Sequence, residues 1–323
     1  MAAQENLVEI TVWYRGVTEG RLSRKIANAL ADAARAKGKH VQAFDNYVDL
    51  PDRVGIPCRS YARICPDPIA EPYIYENHNP SVVVCTDAAL VKGCNVLKGL
   101  EPGGVLVVNT KRSPENIYGL LEGLPDLVKL RTLATVDAGS GAQPYTPQGG
   151  VEGATEKATT FRTASVMLGA IARVTDLVEF ETLAEREGDT EGLHKGLEGV
   201  SVLDNPAYDP DTAAPGGEHK PYQGKVDLIL KAPEPGGENA LFVTGNFRTV
   251  RPVVDQEACT GCKICWLACP DSCITMHQDS DVKVEINLKY CKGCGLCREV
   301  CPVDCIEEKD ELDFAGDMVR ITY

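Results

Sequence analysis

The chain has 323 residues, room for two domains at roughly 100–200 residues each, and its 43% hydrophobic and 25% charged residues are ordinary for a globular protein. A net charge of −14 argues against a nucleic-acid partner, because phosphate binding needs a basic face; it suits small-molecule chemistry or a protein with a basic patch. No apolar run approaches the roughly 20 residues of a membrane span, and Met1 to Glu9 carry two acids and no base, unlike a signal peptide. A cytoplasmic protein without a membrane partner is the expectation.

Val8 to Tyr14, β-branched and aromatic, reads as a strand. Arg21 to Lys37 places Leu22, Ile26, Ala29, Leu30 and Ala33 on one helical face, with Gly38 as a stop. His40 to Phe44 reads as the next strand, and a loop rich in Pro and Arg is expected from Pro51 to Pro72. Ser81 to Cys85 and Gly104 to Asn109 are short apolar runs of the kind found in parallel strands buried on both faces. Thr132 to Val136 adds a strand, and Ala164 to Val178 a helix. Strands alternating with helices predict an open α/β sheet over residues 1–204. Between its first strand and first helix lies Tyr14-Arg15-Gly16-Val17-Thr18-Glu19-Gly20, where open α/β folds bind phosphates on glycines and a helix N-terminus. Arg15, Gly16 and Gly20 are the candidate cofactor-binding residues there, with a plain turn as the alternative. No Ser-His-Asp or Cys-His arrangement and no Gly-Asp-Gly triplet occurs, so this half offers no catalytic centre of its own. Residues 205–240, rich in Pro and Gly, read as a linker or a strap over a partner surface.

Ten of the 14 cysteines fall between Cys259 and Cys305, which points to metal binding rather than disulfides. Cys259, Cys262, Cys265, Cys269 and Pro270 recur as Cys291, Cys294, Cys297, Cys301 and Pro302. Two runs of C-x2-C-x2-C-x3-C-P are the pattern of bacterial two-cluster ferredoxins, in which three cysteines wrap one cubane and the fourth crosses to the other. The predicted ligands are therefore Cys259, Cys262, Cys265 and Cys301 for one [4Fe–4S] cluster, and Cys291, Cys294, Cys297 and Cys269 for the other. A structural zinc site, usually two separated C-x2-C pairs, fits this spacing poorly. Gly261, Gly293 and Gly295 are expected to turn the backbone so that amides face the sulfurs. Ile264, Leu267, Ile274, Leu296 and Ile306 are expected to exclude water. Cys273 and Cys305 read as small buried side chains, and Cys58, Cys65, Cys85 and Cys94 as structural thiols. Residues 241–323 thus predict an α+β, ferredoxin-like domain, and Val282 to Leu288 a short covering strand. Residues 251–323 hold 14 acids against 8 bases, which favours low potentials.

Gly245-Asn246-Phe247-Arg248-Thr249-Val250-Arg251-Pro252, leading into the cysteines, resembles the delta segment of the 2-oxoacid:ferredoxin oxidoreductases. Arg53-x-Gly55-x-Pro57-x-Arg59, Val107-Val108-Asn109-Thr110 and Met167-Leu168-Gly169-Ala170 resemble their gamma domain. The resemblance implies an electron-transfer subunit, gamma and delta parts in one chain. Alpha- and beta-type partners would hold thiamine diphosphate, Mg2+ and a further [4Fe–4S] cluster, with ferredoxin as acceptor and a dimer of heterotrimers as the assembly. Gamma domains of this family carry a glycine-rich loop after the first strand; its replacement here by Val17, Thr18 and Glu19 puts coenzyme A dependence in doubt. The sequence most resembles the branch that oxidises oxalate to two CO2, which needs no coenzyme A. A pyruvate or other 2-oxoacid enzyme using coenzyme A, and a free-standing electron carrier with a docking domain, are the alternatives.

Overall fold

The computed structural model describes residues 4, 6–46, 55–139, 155–212, 243–278, 280–314 and 316. Most of the predicted linker therefore lies outside the described residues. Strands β1 (Val8–Arg15), β2 (His40–Asn46), β3 (Pro57–Cys65), β4 (Val82–Cys85), β5 (Gly104–Asn109), β6 (Leu130–Val136) and β7 (Ser201–Asp204) form one sheet. Its order is β2-β3-β1-β4-β5-β6-β7. The centre, β1-β4-β5-β6, is parallel, and both edges are antiparallel.

Side-chain alternation splits the central strands between two cores. Ile10, Val12, Val82, Val84, Val105 and Val107 face α1 (Gly16–Ala36) and α4 (Thr155–Val174). Trp13, Val83, Cys85, Leu106 and Val108 face the other way, onto α2 (Ala89–Gly93) and α3 (Pro114–Leu121). Both faces are covered, which is why these strands read as unbroken apolar runs. Two further helices, α5 (Phe180–Arg186) and α6 (Thr190–Gly199), pack over α1 and α4.

Two expectations need correction. Within the predicted loop at residues 51–72, Pro57–Cys65 is a full strand, paired with both β1 and β2. Its arginines hid it: Arg59 lies over the Trp13 ring at 5.0 Å, and Arg63 pairs with buried Glu9 at 3.3 Å. Polar side chains inside the sheet are tolerated because each has a partner. Helix α1 also starts at Gly16 rather than Arg21, so the segment Gly16–Gly20 is helix and not a loop.

The second half repeats itself at an offset of 32 residues, as Cys259 to Cys291. Each copy runs strand, cysteine loop, short helix, strand: β8 (Val250–Val254), α7 (Ile264–Ala268) and β9 (Ile274–Met276), then β10 (Val284–Ile286), α8 (Leu296–Glu299) and β11 (Ile306–Asp310). The strands pair across copies, β8 with β11 and β9 with β10. The predicted strand from Val282 to Leu288 is shorter, only Val284–Ile286. No helix among the described residues is long and apolar enough to cross a membrane.

Where α4 crosses α6, backbone meets backbone. A Cβ on Gly169 would lie 1.9 Å from Leu193 O, and one on Gly196 would lie 1.8 Å from Val166 O. Gly196→Ala is expected to force the helices apart and cost about 1–3 kcal/mol, read as a lower thermal midpoint. Gly119→Ala, whose Cβ meets nothing within 4 Å, is expected to leave the midpoint unchanged or raise stability by about 0.4–1 kcal/mol.

Candidate metal centre

The repeat's cysteine loops surround two cavities. Cys259, Cys262, Cys265, Cys301 and Cys305 line the first. Cys269, Cys273, Cys291, Cys294 and Cys297 line the second. Each set of four named from the spacing lies around one cavity, three cysteines from one copy and the cysteine before proline from the other, and a fifth cysteine, Cys305 in the first and Cys273 in the second, shares the wall. Among the described residues, no three His, Cys, Asp or Glu side chains are placed to hold a single metal ion.

Local backbone explains the grouping. Gly261 and Gly293 have φ of 71° and 68°, Lys263 and Gly295 have 67° and 77°, and Ser272 and Asp304 have 50° and 49°. These three left-handed pairs sit at matching positions of the two copies and bend each loop around its cavity. Gly293 has a second reason to be glycine, since a Cβ there would lie 2.4 Å from Val250 O. Amides aim at sulfur as expected: Gly261 N–H donates to Cys259 Sγ at 3.4 Å, and Cys273 N–H to Cys269 Sγ at 3.3 Å.

The thiols divide by environment. A hydrogen bond from the Cys273 thiol holds Cys269 down at about 6. Burial pushes Cys265 and Cys291 up, and Cys297 up to about 11. Bound iron must displace those protons, which couples loading to pH. Cys273 and Cys305 are buried beside Cys269 and Cys301. Burial first, and then the Cys301 sulfur at 3.5 Å, push Cys305 up to about 12. Ile274 and Ile306 are buried as expected, but Ile264, Leu296 and above all Leu267, 75% exposed, lie open. Cys262 and Cys294, at matching repeat positions, are exposed too. Cys58, Cys65, Cys85 and Cys94 are buried within the sheet domain.

The weaker candidates, Arg15, Gly16 and Gly20, sit where β1 enters α1. The Arg15 side chain is committed to the chain itself: Nε to Asp87 at 2.8 Å, Nη1 to Asn246 O at 2.7 Å and to Gly55 O at 3.1 Å. Glu19 accepts from the Arg15 N–H at 2.9 Å and from the Thr86 hydroxyl at 2.8 Å, which sets an acidic side chain beside the start of α1. Burial, and then Asp87, raise Glu19 to about 7. A Cβ on Gly20 would lie 3.1 Å from the Tyr14 ring, so that glycine serves packing.

A charged cluster was missed from sequence. Glu311 accepts from Lys92 Nζ at 2.7 Å, Arg248 Nε at 2.8 Å and Arg251 Nη2 at 2.7 Å, and all four side chains are at most 5% exposed. Burial would raise the Glu311 pKa, but hydrogen bonds from Arg248, Arg251 and Lys92 outweigh it and hold it at about 2. Lys92 belongs to the sheet domain and the other three to the cysteine domain. Leu312 enters the sheet's second core, and Thr249 reaches Asp87 at 2.8 Å. Arg248 and Arg251 were legible only as part of a resemblance, because nothing local marks their common partner.

A sheet covered on both faces is joined to a duplicated domain whose cysteine loops line two cavities, a donor set suited to iron–sulfur clusters. Residues 23–186 match the pyruvate ferredoxin/flavodoxin oxidoreductase family, and residues 252–308 match the 4Fe-4S dicluster domain. The common gamma subunit of the pyruvate/ketoisovalerate oxidoreductases of Pyrococcus furiosus is 34% identical over 185 residues, 57% of this chain and 86% of that one. Ketoisovalerate oxidoreductase subunit VorD of the same organism is 41% identical over 69 residues, 21% of this chain and 66% of that one. The solved pyruvate oxidoreductase subunit PORC of Thermotoga maritima overlays with a TM-score of 0.46 at 26% identity, covering 62% of this chain and 100% of that one. The chain belongs to the pyruvate ferredoxin/flavodoxin oxidoreductase family, with a gamma-type part and a 4Fe-4S dicluster part in one polypeptide.

Removing the carboxylate strands buried cations, so Glu311→Gln is expected to cost about 3–5 kcal/mol, measured by anaerobic chemical denaturation. The sign with pH follows from a depressed pKa. Glu311 contributes its full stabilisation above its ordinary value of 4.5 and loses it as the pH falls through about 2; the Gln variant is expected to lack that acid-dependent component.

Proposed function

We propose that this chain is the electron-transfer subunit of a thiamine-diphosphate-dependent 2-oxoacid:ferredoxin oxidoreductase complex, with one [4Fe–4S] cluster in each thiol-lined cavity. The observation that carries this reading is the shared lining of each cavity by three cysteines of one copy and the Cys-Pro cysteine of the other. Such clusters, when bound, accept and release single electrons. Cys259, Cys262, Cys265 and Cys301 hold one, and Cys269, Cys291, Cys294 and Cys297 the other. The chain's own contribution is the amide and thiol hydrogen bonds to the sulfurs, and Ile274 and Ile306 keep water from the inner corners. Alpha- and beta-type partners supply thiamine diphosphate, Mg2+ and a further cluster, in a cytoplasmic dimer of heterotrimers that reduces ferredoxin.

The substrate proposed is oxalate. What supports it is the start of α1, where Glu19 bonds back to the Arg15 N–H and the Arg15 side chain is bonded to Asp87, Gly55 and Asn246. An anionic cofactor such as coenzyme A would meet an acidic side chain and an already bonded arginine beside the helix start. The purified complex should oxidise oxalate without coenzyme A, with a viologen as acceptor; activity with pyruvate and coenzyme A alone would sink the oxalate reading.

Loading and crossing have their own test. The intact chain is expected to hold about eight iron and eight acid-labile sulfide. Cys301→Ala is expected to disturb the cluster of Cys259, Cys262 and Cys265, and a loss confined to the other EPR signal would refute the crossed assignment.

A further inference from the structure

The two cavities are related by the repeat, but their electrostatic surroundings are not. Arg248 lies between Glu311 and the loop of the second cavity. Its Nε and Nη2 bond the carboxylate at 2.8 and 3.1 Å, and its Nη1 bonds Leu288 O at 2.6 Å and Cys291 O at 2.8 Å. The single negative charge of Glu311 is shared with Lys92, whose other acceptors are the neutral carbonyls of Glu311 and Phe314. Lys92, Arg248 and Glu311 together therefore keep one positive charge, before Arg251 is counted. They are buried, where charge is poorly screened.

The matching positions at the first cavity differ. Ser280 stands 32 residues after Arg248, and Lys283 stands where the first copy has Arg251. Lys283 does reach Cys259 O at 2.5 Å, but it is only half-buried and water screens it. Lys263 is exposed. Around the second cavity the outer charges cancel in pairs, Lys292 with Asp271 at 2.9 Å and Arg298 with Glu308 at 3.0 Å. What distinguishes the second cavity is the buried cation group, and that group is completed by Lys92 of the sheet domain.

An added electron makes an already negative cluster one unit more negative, and a nearby buried positive charge favours that state. We infer that Arg248, with Lys92 behind it, makes the cluster of the Cys291 cavity the more readily reduced of the two, so that an electron shared by the pair comes to rest there. The exchange balances simply: one cluster is oxidised by one electron, the other is reduced by one, and no bond or proton changes hands. Arg248 acts here as a positioning residue for charge, not as a catalytic one. The inference rests on the proposal that each cavity holds a cluster.

The test is an anaerobic redox titration of the full-length, cluster-loaded protein, followed by EPR. Cys294→Ser and Cys262→Ser each identify one signal, whose midpoint is then read in the unsubstituted protein. The signal identified by Cys294→Ser is expected to develop first on reduction; its developing second overturns the inference. Arg248→Gln is expected to shift the equilibrium between the clusters at least tenfold toward the Cys259 cavity, about 59 mV for one electron, while Arg248→Lys restores most of the difference. Lys92→Met, which leaves the cysteine domain's own sequence untouched, is expected to shift it in the same direction and serves where Arg248→Gln does not load. Unchanged midpoints in either loaded variant overturn the inference. Both serine variants altering one and the same signal would overturn the two-cavity reading itself, a result the charge variants cannot mimic.

Discussion

One carboxylate, Glu311, ties the two halves of this chain together. Its oxygens receive Lys92 from the sheet domain and Arg248 and Arg251 from the approach to the first cysteine loop. A buried cation without a partner would cost several kcal/mol, so these side chains hold the halves in one arrangement. Around them the seam is closed by Arg15 reaching Asn246 O, Thr249 reaching Asp87, and Leu312 entering the second core of the sheet. The constraint sets the cysteine domain's second cavity against buried positive charge and leaves the first one beside half-buried Lys283 and exposed Lys263.

The same seam bears on the sheet domain's chemistry. Parallel strands ending near a helix N-terminus ordinarily leave a crevice for a phosphate-bearing ligand. Here Glu19 bonds back to the Arg15 N–H, and the Arg15 side chain turns to Asp87, Gly55 and Asn246. A place that open α/β folds commonly use for binding is used for joining.

Legibility differed sharply between elements. Val82–Cys85 and Gly104–Asn109 stood out because strands covered on both faces must be apolar throughout. The strand Pro57–Cys65 did not, because Arg59, Ser60 and Arg63 satisfy their polarity through Trp13, Ser23 and Glu9, partners that no local pattern reveals. The start of α1 was misplaced by five residues because Gly16 and Gly20 suggest a loop, while Glu19, bonding back to the Arg15 N–H, permits a helix directly off the strand. Leu267 was expected to shield a cluster and is instead 75% exposed, since a four- or five-residue helix shows no periodicity from which to infer a buried face.

By itself the sequence determined the alternation of strands and helices and the duplicated cysteine spacing, because burial on both faces and ligand loops around a cubane both act over a few neighbouring residues. Only the tertiary structure decided that strands pair across the repeat and that Lys92 meets Glu311 across 219 residues of chain. Electrostatic partnership depends on distance in space, and at that separation the order of residues carries no record of it.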